Sequence, residues 1–396
     1  MTGAARQSRP AIIFIVLLGI VSLFADMTYE GARSIAGAYL GQLGATALAV
    51  GLTAGIAELL GFVLRLVVGV LTDRLHRPWT LVILGYLVNL GAVPMLALVG
   101  QWEIAALLIV AERVGKALRT PGRDAMLAQA SSTTGHGSGF GIHEALDQIG
   151  AVLGPLLVAA VVATRGEVRE ALAALAIPAT LAIVVLGIAR LRVPDPGKLA
   201  IAIDPPATTG FSRRFWIYLT GAMCFAAGFV DFALVAFHLD RAAIATPSAI
   251  ALFYALAMGV DAIAALTCGM AFDRVGFAVV PISAAVSAVA APLLFLGGFE
   301  LAVIGVALWG FGLGAQESVL RAGIASLVPA GQRGAAYGTF GALFGIAWFA
   351  GSAAFGLLYG VSIPGLVAAS IALQAAATVV LTVAARWNRP APTPTA

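Results

Sequence analysis

Apolar runs about twenty residues long recur along the whole chain, each closed by a short polar turn. They predict twelve membrane-spanning helices, spans 1–12, at roughly 11–33, 46–71, 79–100, 104–126, 138–163, 169–191, 213–237, 249–271, 278–298, 301–325, 335–360 and 362–386. Continuous runs such as Leu156 to Ala163 and Ala171 to Ala189 lack the alternating polarity of a spanning β-barrel. The longest polar interruption, Arg192 to Arg214, is rich in proline and charge and divides the helices six and six. The expected fold is therefore an all-α membrane protein of twelve transmembrane helices in two pseudo-symmetric six-helix bundles. Residues 1–191 form the first bundle, 192–212 a cytoplasmic linker, and 213–396 the second bundle with a short C-terminal tail.

The halves share a motif. Gly69-Val70-Leu71-Thr72-Asp73-Arg74 returns 200 residues later as Gly269-Met270-Ala271-Phe272-Asp273-Arg274, at the same point of the hydropathy pattern. Phe24-Ala25 and Glu30 of span 1 align with Phe225-Ala226 and Asp231 of span 7. Phe140-Gly141 and Gly154 of span 5 align with Tyr337-Gly338 and Gly351 of span 11. Such internal repeats mark secondary transporters, whose substrate site lies near the membrane midplane between rocking halves.

Composition narrows the picture further. With 61% hydrophobic and 11% charged residues and a mean hydropathy of +0.99, a water-soluble fold is excluded. The pI near 9.3 reflects positive charge spread through short loops, which orients the chain in a bilayer rather than binding nucleic acid. With both termini inside, sixteen Lys or Arg lie on the cytoplasmic side, against only Arg165, Arg169 and Arg241 outside. That places the chain in a bacterial or archaeal cytoplasmic membrane, with both termini cytoplasmic. Arg6 and Arg9 precede an apolar run without a small-residue cleavage site, so span 1 reads as retained. Cys224 and Cys268 fall inside apolar segments and suggest neither a disulfide framework nor a zinc site. No Gly-Lys-Ser/Thr Walker ending and no HExxH appear, so no nucleotide, metal or other cofactor is expected.

On these residues the chain resembles the major facilitator superfamily over essentially its whole length. The loop signature between spans 2 and 3, G-x-L-x-D-R-x-G-R-[KR], is matched by Gly69, Leu71, Asp73, Arg74 and Arg77. His76 replaces its second glycine and Pro78 its last basic residue; the second copy keeps Gly269, Asp273, Arg274 and Gly276. The span 4 signature R-x-x-x-G is half present, as Arg113 with Ala117. Of the span 5 antiporter signature G-x-x-x-G-P-x-x-G-G, Gly150, Gly154 and Pro155 fit, with Val158 and Ala159 in place of the last glycines. The resemblance implies a cytoplasmic gate. In it Asp73 meets the start of span 11, Gly334 to Tyr337, and Arg77 meets Asp124 after span 4.

Charges inside membrane helices are costly and generally face a cavity or a partner. Asp26, Glu30 and Arg33 lie on one stripe of span 1, with Glu30 and Arg33 expected near the outer interface. Glu58 and Arg65 share a stripe of span 2, Arg113 lies in span 4, and Asp231 and Asp261 are the intramembrane acids of the second half. These eight are the candidates for proton coupling or the substrate cavity, with internal ion pairs such as Glu30–Arg33 as the plainer alternative. Glu112, Lys116, Arg119 and Arg123 form a stripe of span 4, opposite His143, Glu144 and Asp147 of span 5. That arrangement suggests salt bridges at the inner mouth, Lys116 with Glu144 among them, serving either as a relay or as fixed packing.

The function expected is alternating-access secondary transport, as proton-coupled export of a small organic molecule by a monomer in the lipid bilayer. An uptake symporter or facilitator for a metabolite is the alternative within transport. A membrane sensor or membrane enzyme is the alternative outside it, and the absence of an acid, His and nucleophile at one depth weighs against an enzyme.

Overall fold

The computed structural model describes residues 4–75, 78–131, 136–194, 210–329 and 332–386, and these are predominantly helical, with no strand among them. Sixteen α-helices build the spans. They are α1 (Ala4–Gln42), α2 (Ala47–Leu75), α3 (Pro78–Met95), α4 (Trp102–Ser131), α5 (His136–Arg165), α6 (Val168–Ala174), α7 (Ala176–Arg192) and α8 (Arg213–Gly228). They continue as α9 (Phe232–Arg241), α10 (Pro247–Val275), α11 (Val279–Ser287), α12 (Ala290–Leu296), α13 (Phe299–Ala315), α14 (Arg321–Leu327), α15 (Arg333–Val361) and α16 (Ile363–Arg386). Ten stretches are long and apolar enough to cross a membrane. One of them, Pro247–Leu296, is 50 residues long and holds two spans, while α4 carries too much charge to register by hydropathy. Together they make the twelve spans expected.

Several spans are broken, and in each case local chemistry supplies the break. Span 7 is interrupted between α8 and α9, where Phe229 to Asp231 leave the helix and Asp231 stands at the N-cap position of α9. The carbonyls released by the break are used: Gly228 O accepts from Ser370 Oγ at 2.7 Å, and Val230 O from Trp309 Nε1 at 2.8 Å. Span 10 carries a π-helical turn at Gln316–Leu320, whose displaced Leu320 carbonyl accepts from Tyr218 Oη at 3.1 Å. Gly276, the motif glycine kept only in the second copy, has φ 67°, a left-handed conformation that glycine adopts without a Cβ penalty.

Contacts divide the chain into two compact units. The first holds residues up to Asp204 together with Phe232–Ala255; the second holds Pro205–Asp231 and Leu256–Ala396. Most of the expected linker lies outside the described residues.

In the first unit α1, α3, α4 and α7 enclose an apolar core that includes Phe14, Leu18, Trp79, Tyr86, Met126 and Leu186. Beyond that core α1 packs along α5 through Gly150 and Gly154, which fit directly over the backbone of Leu23 and Met27. A Cβ at Gly154 would overlap the Met27 carbonyl oxygen, so helix α5 would have to move outward. Gly154→Val is expected to lose about 1–3 kcal/mol by overpacking, read as an earlier loss of the monodisperse peak on heating in detergent. An unchanged melting profile would show that this contact is not what holds α1 to α5.

The second unit packs α8 against α16, where Gly221 meets Leu381 and Gly228 meets Leu373 and Gln374. Its interior is aromatic: Phe229 stacks on Trp309 with centroids 5.2 Å apart and lies 5.5 Å from Trp348.

Candidate functional site

The charged stripes of spans 1 and 4 come together in the first unit as a ladder. Position by position along α1, Ser22 meets Arg123, Asp26 meets Arg119, Glu30 meets Lys116, and Arg33 shares Glu58 with Arg113. The α4 numbers fall as the α1 numbers rise, so the two helices run antiparallel across the ladder. From Ser22 to Arg33 it climbs eleven residues, roughly 16 Å at the rise of an α-helix. That is about half of a 30 Å hydrocarbon core.

The rungs differ in how tightly they are held. Glu58 of α2 is the most committed acid: its Oε1 lies 2.6 Å from Arg33 Nη2 and 2.9 Å from Arg113 Nη2. Glu30 is held on both oxygens. Tyr254 Oη donates to Oε2 at 2.5 Å, while Oε1 faces Arg33 at 3.8 Å and Lys116 at 4.0 Å. Lys116 also sits 3.9 Å over the Tyr29 ring. Asp26 is the loosest. Its nearest cation, Arg119 Nη2, is 4.0 Å from Oδ1, and that buried oxygen has no hydrogen-bond partner among the described residues. Arg119 is fully buried, stacked 4.4 Å from the Tyr86 ring centroid and donating from Nη1 to Tyr86 Oη at 3.1 Å.

At the end of the ladder nearer the N-terminus, α5 joins in. His143 Nε2 is 3.1 Å from Ser22 Oγ, and its Nδ1 is 3.4 Å from Asp147 Oδ1 one turn along the same helix. Arg123 donates to Ser22 Oγ at 3.2 Å and lies 3.8 Å from Asp147 Oδ2. Beside the ladder, Glu112 accepts from Asn89 Nδ2 at 2.7 Å and lies 3.7 Å from Arg113 Nε. Ser22, Asn89, Tyr29, Tyr86 and Tyr254 were no part of the charge stripes. The sequence signal that could have found them is an uncharged polar group in an otherwise apolar helix.

α1 runs on past the expected end of span 1, continuing nine residues beyond Arg33 to Gln42. One expected pairing is corrected. Lys116 does not pair with Glu144: it turns to Glu30 of α1, and Glu144 is exposed, accepting only a long 3.5 Å contact from Gln148. Helical spacing fixes which residues share a stripe, whereas the neighbour that stripe faces is settled by tertiary packing.

The other candidates are scattered. Arg65 lies 5.7 Å from the Phe62 ring. Asp124 is bound by its neighbour Arg123 at 2.9 Å, with 45% of its side chain exposed. Arg77 and the side chains of Asp73 and Arg74 lie outside the described residues, so the gate contacts drawn from the resemblance are not described either. Gly69 has open space around it, and Gly269 faces Ser318 Oγ. Asp273 and Arg274 are exposed. In the second unit Asp231 and Asp261 are both buried, and Asp231 Oδ2 accepts from Trp348 Nε1 at 3.2 Å. Pro155 sits inside α5, one residue past Gly154 at the α1 contact. No group of three or more His, Cys, Asp or Glu capable of holding a metal occurs among the described residues.

A membrane-embedded ionic ladder on a duplicated helical chain narrows the fold families sharply, and comparison decides among them. The family model for the Major Facilitator Superfamily matches residues 18–352. The chain belongs to the Major Facilitator Superfamily. An uncharacterized protein of Mycobacterium tuberculosis is 39% identical over 397 residues, covering 98% of this chain and 97% of that protein. The fosmidomycin resistance protein of Escherichia coli (strain K12) is 30% identical over 189 residues, 47% of this chain and 46% of that protein. The crystal structure of the nucleoside transporter NupG shares the fold, with a TM-score of 0.73 at 13% identity over 95% of this chain and 100% of that one. Membership in the superfamily makes this a multi-pass integral membrane transporter of a small molecule and not an enzyme.

Proposed function

We propose that this transporter is secondary active, works by alternating access, and exchanges protons for a small organic molecule that it exports from the cytoplasm. Asp26 carries this reading: a buried carboxylate in mid-ladder, 4.0 Å from an immobilised guanidinium and with no hydrogen-bond partner for its Oδ1 among the described residues. An acid so placed changes its protonation without dismantling the tighter rungs at Glu30 and Glu58. Partial identity to a protein named for drug resistance supports export, as do the antiporter-signature residues Gly150, Gly154 and Pro155. The excess of Lys and Arg in alternate loops supports cytoplasmic termini in a cytoplasmic membrane.

The test is transport by purified protein in liposomes under an imposed pH gradient, with fosmidomycin and a nucleoside panel as first probes. Antiport drives the transported probe toward the acidic side, against the proton flow. Accumulation on the alkaline side would make the protein a symporter, and a flux indifferent to the gradient would make it a facilitator.

A further inference from the structure

The cluster at the inner end of the ladder goes beyond fixed packing, and we infer that Ser22 and His143 pass protons between Asp26 and Asp147. The inference rests on the proton-coupled reading of Asp26. Its basis is the order of contacts. Ser22 Oγ accepts from Arg123 at 3.2 Å, lies 3.1 Å from His143 Nε2 and also reaches Asp147, so with the ring proton on Nδ1 its hydroxyl proton can turn to His143. With Nε2 accepting, the ring proton sits on Nδ1, 3.4 Å from Asp147 Oδ1, a length that closes to a hydrogen bond with a small rotation. Asp26 stands one turn above Ser22 on the same face of α1. Depth is graded as a path requires: Ser22 is fully buried, His143 is 3% exposed, and 17% of the Asp147 side chain is open.

The surrounding charges explain why a relay is needed. Asp26 is faced by Lys116 and Arg119 of α4 and by Asp147 of α5. His143 is faced by Arg119 and Arg123, and Asp147 by the same two guanidiniums and by Glu144. A free hydronium ion would have to pass those guanidiniums, at a high electrostatic cost in a low-dielectric interior. Handing the proton through neutral groups avoids it.

The step balances. The Asp26 carboxylic acid gives its proton through one water molecule to Ser22 Oγ, while the Ser22 hydroxyl proton moves to His143 Nε2. The proton on His143 Nδ1 moves to Asp147 Oδ1. Asp26 ends as carboxylate and Asp147 as carboxylic acid, with Ser22 and His143 both neutral and the ring proton transferred from Nδ1 to Nε2. Asp147 then releases its proton to water, and His143 resets by exchange with water, losing the proton on Nε2 and gaining one on Nδ1.

A relay sets the rate of proton arrival at Asp26 and not its equilibrium, which separates it from structural support. Time-resolved infrared spectroscopy of the full-length protein in lipid, after a pH jump, follows the protonated-carboxyl stretch of Asp26, identified by its loss in Asp26→Asn. Ser22→Ala and His143→Gln are expected to slow that signal at least about tenfold with the equilibrium midpoint unchanged. Ser22→Thr, which keeps the hydroxyl, is expected to restore the wild-type rate. Unchanged rates in both Ser22→Ala and His143→Gln would overturn the relay and leave proton coupling standing. A shifted midpoint without slowing would make the cluster structural and also overturn it. Absence of any Asp26 signal across the pH range would overturn the proton-coupled reading itself.

Discussion

Glu58→Gln is expected to be the most destabilising conservative substitution in the ladder, costing about 3–5 kcal/mol. One carboxylate oxygen of Glu58 serves two guanidiniums, Arg33 at 2.6 Å and Arg113 at 2.9 Å. The amide keeps the shape and removes the charge, so two cations from different helices are left facing each other inside the membrane. Their remaining acids are distant: Glu30 is 3.8 Å from Arg33 and Glu112 is 3.7 Å from Arg113. Breaking one partner of a buried pair costs more than the pair is worth, because the orphaned charge remains desolvated. The measurement is thermal unfolding in detergent by tryptophan fluorescence. Glu58→Gln with Arg113→Gln restores the charge balance and is expected to recover part of the loss, a coupling of about 0.5–3 kcal/mol in the double-mutant cycle. If Glu58→Gln melted like the wild type, the Arg33–Glu58–Arg113 rung would be dispensable to the fold.

How far this arrangement could be read from the chain is instructive residue by residue. Twelve spans, the duplication and the stripe of Asp26, Glu30 and Arg33 are all plain in the periodicity. Hydropathy ended span 1 near Arg33, because a charge looks the same to it whether it meets water or a carboxylate. In the structure Arg33 meets Glu58 of another helix, and α1 continues to Gln42. Span 4 registers poorly for the same reason, its charges being neutralised by partners far away in sequence. Span 7 read as continuous because Phe229 and Val230 are as apolar as their neighbours. The clue to its break was Asp231 standing just before an apolar run, an N-cap signature inside a membrane segment. Lys116 faces Glu30 of α1 while Glu144 is exposed, a choice of neighbour that no stripe reports. The repeat of Gly69 to Arg74 at Gly269 to Arg274 indicated two related halves. The ladder is nonetheless built from first-unit residues, so duplication of the fold carries no duplication of the site.

Asp26→Asn is expected to abolish transport driven by a pH gradient, by about 100-fold or more, while exchange of the same probe across the membrane persists. The two acids on α1 make opposite predictions. Glu30 is bound by Tyr254 on one oxygen and faced by two cations on the other, so Glu30→Gln disturbs packing first. Asp26 is faced by Lys116 and by Arg119, the latter 4.0 Å away and held in place by Tyr86 whatever the state of the acid. Neutralising Asp26 therefore costs the ladder little and fixes the carrier in the state that a bound proton would produce. Exchange needs only movement of the loaded carrier and continues; net uphill transport needs a proton to be gained and lost, and stops. The decisive comparison is gradient-driven flux against probe exchange in the same liposomes, for Asp26→Asn, Glu30→Gln and wild type. Loss of both activities in Asp26→Asn would make Asp26 a structural residue. Retention of both would move the coupling site off Asp26 and make Asp231, buried beside Trp348, the next acid to test.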